Sequence, residues 1–163
     1  LSDDDITVRE ATLADLPVIL HQRHAMFEAM GYRDPAVLDT VERNSEPYFA
    51  KGFEEGWYRS WLAQTTDGRV IAGGGVSLVP WPPHPRDGRP CRPMIHNVYT
   101  EPEYRRRGIA RRLMQVMIDW CRAQGFVVVY LHSSDEGRPL YLSMGFETTS
   151  ELRLKLTGSA KLE

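Results

Sequence analysis

The chain has 163 residues, a formal net charge of −2, and 42% hydrophobic and 26% charged residues. That balance excludes a disordered chain, which has too little apolar surface to bury, and a basic protein that seeks polyanions, so no nucleic acid is expected as a partner. No run approaches the roughly 18 apolar residues of a membrane span, and the acidic start Ser2-Asp3-Asp4-Asp5 lacks signal character. The expectation is a cytoplasmic protein without membrane association, folded as one domain over residues 1–163.

Ile6-Thr7-Val8-Arg9 alternates as a first strand. Thr12, with Asp15 three residues on, stands where an N-cap opens a helix. Leu13, Leu16, Ile19 and Leu20 share its apolar face, and it runs to about Ala29 before Gly31 ends it. His21 and His24 lie on that helix without a third ligand in register, so no metal is expected. Asp34-Pro35 reads as the entry to a second helix with Val37, Leu38 and Val41 on its apolar side. Pro47 is expected to interrupt it, and Tyr48, Phe49 and Phe53 mark a further helical segment to about Glu55.

Trp57 to Ala63 reads as a strand, Thr66-Asp67-Gly68 as a hairpin turn, and Val70 to Val79 as the returning strand. Gly73-Gly74-Gly75 at its centre marks a bulge or a close approach of another backbone or a ligand. A phosphate cradle there is disfavoured, because no helix follows to supply terminal amides. Pro80 to Pro93 is too rich in proline for regular structure and reads as a long loop, either a surface connection, a lid or a dimer contact. Cys91 and Cys121 have no metal-ligand spacing and are expected as free thiols.

Met94 to Thr100 is a further strand, and Phe126 to Leu131 after Gly125 another. Between them Ile109, Leu113, Val116, Met117 and Trp120 form a stripe of helical period. Strand, crossover helix and strand make a unit with parallel strands, whose ligands bind outside the strand carboxyl ends. The connection Thr100 to Arg112 therefore faces such a site. The first backbone N–H groups of a helix have no internal partner and carry the positive end of its dipole, so Arg107 to Ala110 offer donors to a phosphate or pyrophosphate. On the residues alone, the arginine cluster reads equally as the solvated start of an amphipathic helix. A short helix then ends at Met144, starting between Ser134 and Pro139. Glu147 to Leu156 alternates, with Leu152, Leu154 and Leu156 on one face, as a last strand completing the sheet, and Thr157 to Glu163 is a tail.

Arg105, Gly108 and Ala110 at the spacing Arg-x-x-Gly-x-Ala, followed later by Tyr141, Gly145 and Phe146 as Tyr-x-x-x-Gly-Phe, resemble the GNAT superfamily of acetyl-CoA-dependent N-acetyltransferases. The resemblance implies an α+β fold: a central mixed, mostly antiparallel twisted sheet, a parallel splayed pair formed by the fourth and fifth strands, and helices on both faces. It implies acetyl-CoA as cosubstrate, a small-molecule amine or a protein amine as acceptor, and a possible homodimer.

The same resemblance assigns roles. Val98, Tyr99 and Thr100 would pair with the pantetheine arm, the Val98 N–H facing the thioester oxygen. Arg105 opens the motif, and Arg106, Arg107, Gly108, Ile109, Ala110 and Arg111 would hold the pyrophosphate. Tyr141 would protonate the departing thiolate. Ser134 stands where many relatives carry an asparagine that contacts coenzyme A, and Val129 where ribosomal-protein acetyltransferases carry a glutamate base. His96 and His132 are the candidate bases, with a water chain as their alternative. Tyr32, Arg33, Tyr48 and Phe49 are candidates to line the acceptor site. An acyl-CoA sensor or partner-binding module without transfer activity is the rival reading, which the presence of Tyr141 disfavours.

Overall fold

The computed structural model describes residues 5–156. β1 (Ile6–Glu10), β2 (Tyr58–Thr65), β3 (Val70–Pro80), β4 (Cys91–Thr100) and β5 (Tyr130–Leu131) form one sheet in the order β1-β2-β3-β4-β5. The first three pairings are antiparallel and β4 with β5 is parallel, so the mixed α+β sheet with a parallel last pair is as expected. α1 (Leu16–Ala29) and α2 (Pro35–Glu55) cover one face; α3 (Ile109–Ala123) covers the other, and α4 (Arg138–Ser143) follows β5.

Strand alternation explains how the sheet is buried on both sides. Trp61 and Ala63 of β2 join Ile71, Val76 and Ile95 against Leu113, Met114 and Met117 of α3. Tyr58 and Leu62 point the other way, toward Leu16, Ile19 and Phe49 of the first two helices. The glycine run of β3 lets both layers close in. A Cβ on Gly74 would stand 2.8 Å from the Met117 Cε and one on Gly75 2.5 Å from the Tyr58 hydroxyl oxygen, so close approach of neighbouring side chains accounts for these glycines.

Thr12 and Asp15 open the first helical stretch as a capping box, with the Thr12 N–H donating to Asp15 Oδ2 at 2.8 Å, but the first turn, Leu13–Asp15, is a 3-10 turn. Pro47 does not interrupt α2, which is one helix of 21 residues. Pro47 and Arg43 both lie on the exposed side of α2, so the Arg43 carbonyl that a proline cannot bond is not buried in the core. Ser45, Phe49 and Gly52, buried on either side of it, hold the two halves on one axis. The loop between β3 and β4 is shorter than expected, because β3 runs to Pro80 and β4 starts at Cys91. It is closed by the Trp81 N–H donating to the Pro90 carbonyl at 2.9 Å and by Arg92 stacked on Trp81 at 3.5 Å.

Two expected strands are corrected. β5 is only Tyr130–Leu131, not Phe126 to Leu131. Tyr130 pairs with Met94, so the next rung back would fall on Pro93. Leu78 opposite Pro93 turns its N–H to Trp57 of the β2 side, so Pro93 faces β5 with its ring nitrogen and has no N–H to extend the ladder. Phe126 is meanwhile held elsewhere, under the Arg89 guanidinium at 3.6 Å. Glu147 to Leu156 forms no strand: it pairs with nothing in the sheet, and Leu152, Leu154 and Leu156 are 95%, 81% and 88% exposed. A two-residue β5 leaves no edge long enough to dock it. The expected tail, Thr157 to Glu163, lies outside the described residues. Cys91 and Cys121 are free thiols, and no described helix is long and apolar enough to cross a membrane.

Candidate active site

The site is built where β4 and β5 part. Gly73 and Gly75 pair with Tyr99 and His96, so Asn97 and Val98 together oppose Gly74: β4 carries a bulge. Asn97 has φ 58, a left-handed backbone that asparagine adopts more readily than most residues. Pairing with β5 stops at Ile95, and beyond the bulge the β4 backbone at Val98, Tyr99 and Thr100 has no β5 partner. Because β5 ends at Leu131, the β4 edge is unpaired from that point on.

Past β4 the chain turns through a 3-10 segment, Pro102–Tyr104, into the start of α3. Arg106 (φ 59) and Gly108 (φ 77) both adopt left-handed backbone, and the first bond of α3 runs from the Arg112 N–H to the Gly108 carbonyl at 3.0 Å. The amides of Arg106, Arg107, Gly108, Ile109, Ala110 and Arg111 have no acceptor among the described residues. Such a run of convergent donors at the positive end of a helix suits a pyrophosphate. Nothing lies within 4 Å of a Cβ placed on Gly108, so glycine is required there by its φ rather than by crowding.

The arginines divide between structure and site. Arg105 Nε donates to the Thr100 carbonyl at 3.0 Å and its Nη1 lies 3.6 Å from Glu136, in the turn before α4. Arg107 donates to the Glu103 carbonyl at 3.1 Å and stacks on Tyr104. Arg111 Nη2 donates to Ser143 Oγ at 2.5 Å. Arg106 is exposed and has no partner among the described residues. Ile109 is a core residue, 4% exposed, which anchors the first turn of α3.

α4 begins at Arg138, near the late end of the expected range Ser134 to Pro139. Ser134 Oγ accepts the Gly137 N–H at 3.1 Å and so shapes the turn into α4. Tyr141 packs edge-on against Phe146 at 5.9 Å, and burial pushes its phenol up from the ordinary value. Its hydroxyl has no hydrogen-bond partner among the described residues, so it stays protonated at neutral pH and free to donate. His132 lies at the end of β5, largely exposed, 3.6 Å from Glu151.

His96 is in a different setting. Its ring packs nearly parallel to Phe49 (5.7 Å) and to Tyr58 (5.5 Å), which also touch each other at 4.7 Å, and Nε2 lies 2.6 Å from Ser77 Oγ. Burial first, and the Arg23 charge second, push its pKa down to about 4, so the ring is neutral at pH 7. Sequence reasoning missed Arg23, Asn97, Ser77 and Glu136. Arg23 and Asn97 are 74 positions apart and share no motif, so no local signal joins them. Of the expected acceptor-lining residues, Phe49 is core at 2% exposed; Tyr48 is exposed and packs edge-on against Trp57, and Tyr32 packs on Phe27.

A family model described as acetyltransferase (GNAT) family matches residues 22–146. Among curated proteins, a glucosamine 6-phosphate N-acetyltransferase of Trypanosoma brucei brucei is 32% identical over 90 residues, which are 55% of this chain and 59% of that protein. An N-alpha-acetyltransferase RimI of Mycobacterium tuberculosis is 35% identical over 91 residues, 53% of this chain and 56% of that one. The chain thus spans less than two thirds of the length of these curated relatives. A GCN5-related N-acetyltransferase of Ralstonia eutropha superposes with a TM-score of 0.86 at 30% identity, over 94% of this chain and 99% of that one. A predicted acetyltransferase of Clostridium acetobutylicum, solved with acetyl-CoA, has a TM-score of 0.85 at 24% identity, covering 93% and 96%.

Proposed function

The chain belongs to the acetyltransferase (GNAT) family, and on that premise we propose that it transfers the acetyl group of acetyl-CoA to a primary amine by direct attack within a ternary complex. The observation that carries this is the run of amides from Arg106 to Arg111, without acceptors, beside a β4 edge without a strand partner. The amides and Arg106 take the pyrophosphate, and Val98 to Thr100 take the pantetheine arm along the strand edge. Arg105, Arg107 and Arg111 hold the loop and its neighbours in place, and Ser134 does the same for the turn into α4.

A protonated amine cannot attack, so it first loses a proton. His132, exposed at the end of β5, receives that proton directly or through water; His96, neutral and enclosed, is the weaker candidate. The neutral nitrogen attacks the thioester carbon, and the Val98 N–H stabilises the oxyanion. The attacking nitrogen, now carrying a positive charge, gives up its second proton to water, the C–S bond breaks as the Tyr141 hydroxyl protonates the leaving thiolate, and solvent reprotonates Tyr141. The acceptor class is a small-molecule amine or a protein amine, as the named relatives act on a phosphorylated amino sugar or on N-termini.

A single domain, a cytoplasmic location and a homodimer belong to the same proposal. The exposed row Leu152, Leu154 and Leu156 supports the dimer, because a second copy removes it from water. Sedimentation of the chain and of a variant with all three leucines changed to serine tests the assembly. The transfer itself is tested by thiol release from acetyl-CoA with a mixed amine panel. Acetyl-CoA binding with neither transfer nor hydrolysis would assign the chain to the sensor class instead.

A further inference from the structure

Arg23 sits on α1 facing the β4 bulge. Its Nη1 donates to Asn97 Oδ1 at 2.5 Å and its Nε to Ser45 Oγ at 3.1 Å, and the guanidinium carbon lies 4.7 Å from the Phe27 ring and 5.5 Å from the Phe49 ring. Among the described residues no carboxylate pairs with it; Glu42, the acid that lines the same narrow cavity between α1 and α2, is taken by His24 at 3.2 Å. Nη2 has no acceptor among the described residues and is not sealed by them. Beside it lie Asn97, 5% exposed, and Tyr58, 1% exposed, whose Nδ2 and hydroxyl make no well-formed hydrogen bond among the described residues, the hydroxyl having only the weaker contacts of Ser60 and Asn97. A half-buried cation with one open nitrogen and no anion beside it is a costly arrangement unless an anion arrives from outside.

The position gives that anion its meaning. Asn97 immediately precedes Val98, whose N–H is assigned to the thioester oxygen, so a group held by Arg23 lies next to the reacting centre on the face covered by α1 and α2. We propose that Arg23 binds an anionic substituent of the acceptor, so that the acceptors are amines carrying a carboxylate or phosphate close to the reactive nitrogen. This rests on the acetyl-transfer reading. It sets such acceptors apart from polycationic amines and from protein N-termini, which lack an anion at that place. A guanidinium with two nitrogens already fixed presents the third without further ordering, which favours recognition of an oxyanion.

The test compares matched acceptors: an α-amino acid with its amide, and 2-aminoethyl phosphate with 2-methoxyethylamine. The wild-type protein is expected to favour at least one anionic member about 100-fold in kcat/KM, mainly through KM. The member favoured tells carboxylate from phosphate. Arg23→Gln should collapse that ratio toward unity, and Arg23→Lys should restore part of it. Equal loss for both members of a pair, or a wild-type ratio near one, overturns the assignment. If no acceptor turns over, the Arg23 Nε–H resonance, identified by its absence in Arg23→Gln, is followed in wild-type protein during titration with glycine and with inorganic phosphate. A saturable shift supports the site and no shift with either removes it. Absence of acetyl-CoA binding, measured separately, would count against acetyl transfer and leaves the titration to decide the anion site.

Discussion

Arg111, in the first turn of α3, donates to Ser143 Oγ at 2.5 Å at the last residue of α4. This bond links the helix start that offers free amides to the helix that carries Tyr141. Ser143→Ala should therefore reduce kcat/KM about threefold, the modest effect expected of one exposed charge-assisted bond. Steady-state kinetics with acetyl-CoA as varied substrate reads it.

Tyr141→Phe is expected to lower kcat by roughly 10²- to 10⁴-fold. Stability should change little, because the hydroxyl makes no bond within the described residues. Equal rates in both proteins, with unchanged melting temperature, would remove Tyr141 as the proton donor.

Gly108→Val forces a β-branched residue into φ 77. The left-handed conformation costs such a residue at least about 1 to 2 kcal/mol, and relaxing it tilts the neighbouring amides away from their common target. Calorimetry should show acetyl-CoA affinity falling about tenfold or more, with the melting temperature lower as well.

His96 makes stability depend on pH with a defined sign. Its folded pKa, about 4, lies below the ordinary histidine value, so the unfolded chain binds the proton more tightly. The contribution is complete above about pH 6.5 and is lost as pH falls toward 4, an upper limit of about 3 kcal/mol. Denaturation of His96→Phe between pH 7 and 4.5 should show a flatter dependence than wild type. Parallel curves would place the acid sensitivity elsewhere.

Pro47→Ala restores an N–H to the middle of α2 at an exposed position. It should stabilise the protein by about 1 to 2 kcal/mol, less than the full helix penalty of proline because the unfolded chain becomes more flexible. Urea denaturation with unchanged slope checks it.

Local patterns carried much of this protein into view. Thr12 and Asp15, Asp34 with Pro35, and Asp67 with Gly68 announce their caps and turn because each depends on side chains bonding to backbone a few positions away. The stripe from Ile109 to Trp120 announces α3 and its face, and Arg105, Gly108, Ala110 and Tyr141 announce the family because its motifs are short-range objects. Other features arise between segments distant in sequence. The shortness of β5 follows from which way Pro93 faces, and that is set by the register of β3. The exposure of Leu152 to Leu156 follows in turn from the missing edge. Arg23 reaches Asn97 only because α1 packs over a bulge that glycines in β3 accommodate. Composition and spacing were enough to identify most of the elements and the helix start with its free amides, whereas register, burial and the placement of Arg23 came from packing, since they depend on partners that sequence distance hides.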